Sequence, residues 1–272
     1  MKNWSKSRFT QHPAYSKTTP AKLTRRCLLK GSATLLIITH NSASNATSAW
    51  ADGRLKARPG VAAQAWEAGP GTYDIRLGAN RDGLFYVPPA LPAASPHPLI
   101  VMLHGGGDSA RQVVPVLQTI ADQFGIIVLA PESQASDSWD ILEGAYGPDI
   151  EFIDRALEVT FGRFTIDANR VAIAGFSDGA SYALSVGLMN GDLFGDIFAF
   201  SPGFAEPVHK IGKPRIFISH GDKDTVLPVE NGGRRLAKEL GEAGYDVDYR
   251  EFDGGHIVPP DLIAEATKRF LG

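Results

Sequence analysis

Gly175-Phe176-Ser177-Asp178-Gly179 sets one serine midway between two glycines. A serine hydroxyl attacks a carbonyl only when a base within hydrogen-bond reach takes its proton. Glycines two residues to either side leave room for a sharp, strained turn that lifts the hydroxyl clear of its surroundings. The base is sought among seven histidines. His256, in Asp253-Gly254-Gly255-His256, lies in a glycine-rich loop and is the best candidate. His97 falls in a proline-rich stretch and His209 in a surface segment, while His104 and His220 end apolar runs in His-Gly turns that suit a structural role. An acid must then orient the imidazole, and His220-Gly221-Asp222-Lys223-Asp224 offers both Asp222 and Asp224.

A third segment, His104-Gly105-Gly106-Gly107-Asp108, follows another apolar run. Its glycines can aim backbone N–H groups at a developing oxyanion. The second donor is the N–H of Asp178, at the start of the helix that follows Ser177. A phosphate-binding loop is disfavoured, because neither the P-loop lysine nor the G-x-G-x-x-G spacing is present. Trp139, and less so Phe204, are candidates for lining a substrate pocket. No metal or organic cofactor is needed for this chemistry. The one cysteine, Cys27, lies near the N-terminus, so the remainder has no thiol nucleophile, disulfide or cysteine metal ligand.

The elements that must position these groups read as an alternation. Thr72–Leu77 and Leu84–Val87 are short strands about an Asn-Arg-Asp-Gly turn and suggest an antiparallel start. The apolar runs 99–103, 126–129, 171–174, 197–200 and 215–219 read as buried strands, with 247–252 as the last. Helical spacing marks 113–124, 150–161, 179–189, 233–240 and 261–271. The pattern predicts an α/β fold with a mostly parallel sheet covered on both faces, and no second domain. Ser177, both aspartates and His256 then emerge at the carboxyl ends of strands, where such sheets carry their active groups.

With these segments placed, the chain resembles the α/β-hydrolase superfamily. More narrowly it is similar to the phospholipase/carboxylesterase family of serine esterases, related to acyl-protein thioesterases. The residues that carry this are His104–Asp108, Gly175–Ala180, His220–Asp224 with Val226 and Pro228, Gly255-His256, and Ser138-Trp139-Asp140. The chain order Ser, Asp, His is the one this fold uses. The resemblance selects Asp224 as the acid, four residues after His220, and Gly106 as the first oxyanion donor, two residues after His104. It implies an ester hydrolase acting on small-molecule esters of short or moderate acyl length. One departure stands out: Asp178 occupies a position that is usually uncharged in the family. Lid domains in this fold commonly follow the strand at 197–200, and 201–214 is too short for one, so no large lid is expected.

The N-terminus reads as an address. Residues 1–51 hold eight basic residues and no acidic one, leaving 19 basic against 30 acidic residues in 52–272. That acidic body argues against nucleic acid as a partner. Arg25-Arg26, a short apolar stretch at 31–39 and Ala49-Trp50-Ala51 occur in the order of a twin-arginine export signal. The expected partner is that export machinery, the expected location the bacterial periplasm or beyond, and no stable membrane anchor is foreseen, since the stretch is too short to span a bilayer. Residues 52–71 read as a loose lead-in to a catalytic domain at 72–272. A thioesterase or peptidase with the same triad, a secreted polyester or plant-ester hydrolase, and a non-catalytic binding module are the competing readings.

Overall fold

The computed structural model describes residues 49–63, 66–89, 91, 96–134 and 138–272. The twin-arginine motif and its apolar stretch lie outside these residues.

An eight-stranded sheet forms the centre. Its strands are β1 (Gly71–Asp74), β2 (Leu84–Val87), β3 (His97–Leu103), β4 (Ile127–Ala130), β5 (Ile166–Phe176), β6 (Asp196–Phe200), β7 (Arg215–Gly221) and β8 (Val247–Phe252). They lie in the order β1-β2-β4-β3-β5-β6-β7-β8. β1–β2 and β2–β4 pair antiparallel. All later pairings are parallel. Among the described residues five α-helices accompany them, four between strands and the last after β8: α1 (Ala110–Phe124), α2 (Pro148–Arg163), α3 (Asp178–Met189), α4 (Gly233–Glu242) and α5 (Pro260–Leu271).

The two faces of the sheet divide the core by strand alternation. Leu99, Val101 and Leu103 of β3 with Val171 and Ile173 of β5 face α2, α3 and α4. Ile100, Met102, Ala172 and Ala174 face α1 and α5. A strand covered on both sides is apolar nearly throughout, as β3 is from Pro98 to Leu103; all seven of its residues, His97 included, are buried. Helix boundaries follow local chemistry. Gly125 stops α1 in the left-handed conformation, at φ 65°. Pro148 and Pro260 open α2 and α5, where a missing N–H costs nothing.

The expected loose lead-in is corrected by the structure. Leu55 is 1% exposed, and Ala57 is buried beside it. The Asp154 carboxylate accepts the N–H groups of Lys56 and Ala57, and the Asn190 side chain accepts that of Leu55 at 2.9 Å. Arg54 and Arg58 both reach Asp192 just beyond α3, and these arginines hold its carboxyl well below the usual carboxylate range. Residues 54–58, in neither helix nor strand, are thus fastened by side chains roughly a hundred or more residues along the chain.

Candidate active site

Ser177 stands between β5 and α3 at φ 57°, ψ −120°. A non-glycine residue there is strained by roughly 1–3 kcal/mol and persists only where its surroundings fix it. They do: Ser177 N–H donates to the Phe200 carbonyl at 3.0 Å, and its own carbonyl accepts from Ala180 and Ser181. The glycines are there because of crowding. A Cβ on Gly175 would lie 2.1 Å from the Gly179 carbonyl oxygen, and one on Gly179 would lie 2.4 Å from the carbonyl oxygens of Leu103 and His104. This contact presses the start of α3 onto the end of β3. It brings Gly105 so close that its missing Cβ would be 3.5 Å from Ser177 Cβ.

His256 arrives from the loop after β8. Its Nε2 is 2.8 Å from Ser177 Oγ, and its Nδ1 is 2.6 Å from Asp224 Oδ2. The carboxylate is held from behind: Val226 and Leu227 N–H groups donate to Oδ1 at 2.8 and 2.9 Å. The Asp224 side chain is fully buried and that of His256 is 15% exposed. The loops carrying Asp224 and His256 meet backbone to backbone. A Cβ on Gly221 would fall 2.3 Å from the Gly254 carbonyl oxygen, and Lys223 N–H donates to that same oxygen. Asp222 points elsewhere, accepting the Gly254 N–H at 3.2 Å on the surface. The structure therefore brings Ser177, His256 and Asp224 together and leaves Asp222 apart.

His220 has its place beside Asp224. Its Nδ1 accepts the Gly233 N–H, so the proton is on Nε2, which donates to the Leu227 carbonyl at 2.7 Å. Asp224 Oδ2 is also 3.3 Å from that nitrogen. The Phe176 ring lies 4.7 Å from the His256 imidazole. Sequence reasoning assigned Phe176 no role, although its position next to Ser177 was the available signal.

Gly106 occupies the exposed turn after β3, and Asp178 is the first residue of α3. The Asp178 carboxylate accepts the Ser138 hydroxyl at 2.8 Å. Asp108, half-buried at the same rim, has its carboxyl pushed up by burial, opposed by the hydrogen bond it accepts from Gln112 at 3.0 Å.

Trp139 requires a correction. It is wholly buried, with no surface open to a substrate, stacked on Tyr182 and lying against the His104 ring. Its indole N–H donates to the His104 carbonyl at 2.9 Å. An indole in a dry core must satisfy its one donor, and here the acceptor is the strand end that begins the glycine loop. Among the described residues no group of three or more His, Cys, Asp or Glu is placed to hold a metal ion.

Sheet order and strained serine turn define an α/β-hydrolase. Residues 124–271 match the family model described as Phospholipase/Carboxylesterase, and the chain belongs to that family. It is 28% identical over 159 residues to the poly(3-hydroxybutyrate) depolymerase of Ralstonia pickettii, covering 48% of this chain and 32% of that one. It is 30% identical over 162 residues to a bifunctional acetylxylan esterase/xylanase of Neocallimastix patriciarum, covering 57% of this chain and 23% of that one. The chain thus spans about a third or less of the length of these relatives. Among solved structures, esterase PE8 superposes with a TM-score of 0.54 at 22% identity, over 75% of this chain and 97% of that one.

Proposed function

We propose that the chain is a serine carboxylic-ester hydrolase working through an acyl-enzyme. One observation carries the reading: the His256 imidazole bridges Ser177 Oγ and the Asp224 carboxylate at 2.8 and 2.6 Å. In the first half-reaction Ser177 Oγ bonds to the ester carbonyl carbon while its proton passes to His256 Nε2. Asp224 keeps the other imidazole proton on Nδ1 and stabilises the imidazolium. The Gly106 and Asp178 N–H groups hold the oxyanion. Collapse breaks the carbon–alkoxide bond, and the alcohol leaves with the proton from His256. Water then attacks the acyl-serine, with His256 again taking a proton, and the carboxylic acid is released.

Substrates are small esters of short or moderate acyl chain. Only residues 201–214 lie between β6 and β7, too few for a lid domain inserted at that point. A rim without a lid at that point also admits an ester group presented by a polymer, and two of the relatives bear polymer-directed names, a poly(3-hydroxybutyrate) depolymerase and an acetylxylan esterase/xylanase. Export through the twin-arginine route accompanies this reading, supported by the order of Arg25-Arg26, apolar stretch and Ala49-Trp50-Ala51.

The test is turnover of matched 4-nitrophenyl esters, thioesters and anilides by purified protein, with a fluorophosphonate label on Ser177. Ester turnover that leads the other two by at least tenfold, and is lost with the label in S177A, is expected. Dominant thioester or anilide turnover replaces the ester reading, and turnover that survives S177A ends it. Export is read from the N-terminal sequence of protein recovered outside the cytoplasm, and from its loss on replacing Arg25 and Arg26 by lysine.

A further inference from the structure

The first oxyanion donor belongs to a glycine turn, and glycines by themselves leave a peptide free to rotate. Something must set the Gly105–Gly106 peptide plane. Buried His104 is placed to do so. Its Nε2 accepts the Ser133 N–H at 3.1 Å, so Nε2 carries no proton. The ring proton is then on Nδ1, which lies 2.8 Å from the Gly105 carbonyl oxygen. The second lone pair of that oxygen accepts the Asp108 N–H at 3.1 Å, closing a turn whose third residue, Gly107, is at φ 74°. The Gly105 carbonyl is therefore held at two points. Across a planar trans peptide, C=O and the following N–H point in opposite directions. The Gly106 N–H must face away from the ring and the turn. It donates to no protein acceptor among the described residues, and Gly105 is the residue packed against Ser177.

We infer that His104 is a positioning residue of the oxyanion hole: its Nδ1–H fixes the Gly105 carbonyl and thereby turns the Gly106 N–H toward the ester oxygen above Ser177. The inference rests on the serine-esterase reading for what the N–H does, though not for which way it points. Other contacts support the tautomer. Glu132 Oε2 is 3.6 Å from His104 Nε2, too far for a hydrogen bond, and that carboxylate is taken by Arg81 and the Ala110 N–H. Burial holds the imidazole below its ordinary pKa and so neutral. Trp139, on the His104 carbonyl, fixes the other side of the same residue.

The test compares H104F with H104N, and both with wild type. Phenylalanine keeps a ring but has no donor. Asparagine places an amide nitrogen near the Nδ1 position, where it can donate to Gly105. Both lose the acceptor for Ser133, so a purely structural role predicts the same defect in the two. Removing an oxyanion donor outright costs about 100- to 1,000-fold in kcat, and misaiming one should cost roughly 10- to 100-fold. H104F is expected to lose that much in kcat with KM within about twofold. Its affinity for a trifluoromethyl ketone, which forms the tetrahedral adduct, should fall in parallel. H104N should recover most of both. Equal defects in the two variants, or a change confined to KM, would overturn the inference. Should H104F not fold, the wild-type protein still decides through the long-range proton–nitrogen spectrum of its histidines. A His104 protonated on Nδ1 is expected, and one protonated on Nε2 overturns the proposal. That spectrum does not depend on turnover, so a chain inactive on esters sinks the functional reading without touching the tautomer.

Discussion

Asp222 and Asp224 sit two residues apart on one loop, yet one ends on the imidazole and the other on a surface amide. The residues alone left both open, because each follows a strand end and each is an aspartate. What separates them is direction. Asp224 turns inward, where two N–H groups and His256 meet it, and that turn depends on contacts with residues outside the motif. Replacing Asp224 by asparagine leaves the shape and removes the charge that selects the Nδ1–H tautomer. A loss on the order of 10,000-fold in kcat is expected, against a change within about threefold for D222N; steady-state kinetics on one ester checks both. Trp139 shows the opposite limit of reading residues. Its type suggested a pocket wall, but in the structure it is a core donor. Trp139→Phe should cost about 1–3 kcal/mol by chemical denaturation, since the buried His104 carbonyl is left unpaired, with KM for small esters unchanged. A large shift in KM with intact stability would return Trp139 to the pocket.

At the scale of elements, strands and helices were legible because a parallel sheet forces apolar runs at nearly every position, and each run is closed by glycine, proline or a charged turn. Ser177 was legible for the same reason: its glycines sit where backbone meets backbone. Gly179→Ala puts a methyl 2.4 Å from two carbonyl oxygens of the neighbouring strand end. Helix α3 would have to move, and with it the strained serine. Beyond the usual 1–3 kcal/mol of overpacking, activity should fall by at least a hundredfold even in protein that still folds, as read by fluorophosphonate labelling alongside circular dichroism. Normal labelling would mean that the turn tolerates displacement. The lead-in was not legible. Leu55 and Ala57 are single apolar residues in a glycine- and proline-rich stretch with no period to notice, and their partners Asp154 and Asn190 lie far along the chain. Local pattern carries no trace of such fastening.

Across the whole molecule, the two-faced sheet draws polar rings into its core along with aliphatic ones. Five phenols, Tyr86, Tyr146, Tyr182, Tyr245 and Tyr249, are all pushed up, in each case first by burial. Tyr86 rises to about 12, with a further push from its hydrogen bond to Asp122. In the unfolded chain such a phenol ionises near its ordinary value of about 10. Between that value and the folded one, the unfolded state binds fewer protons than the native state, so the stability of the fold declines as pH rises. The contribution is intact below pH 10 and is lost as pH climbs through the folded value. For Tyr86 alone the loss is at most on the order of 2–3 kcal/mol. Urea unfolding across pH 8 to 12 should therefore show a steepening decline above 10. Tyr86→Phe lacks the Asp122 bond at neutral pH and starts less stable, but it has no phenol to ionise. Its deficit against wild type should shrink between pH 10 and 12, and a deficit that stays constant over that window would mean that Tyr86 ionises as readily in the fold as out of it.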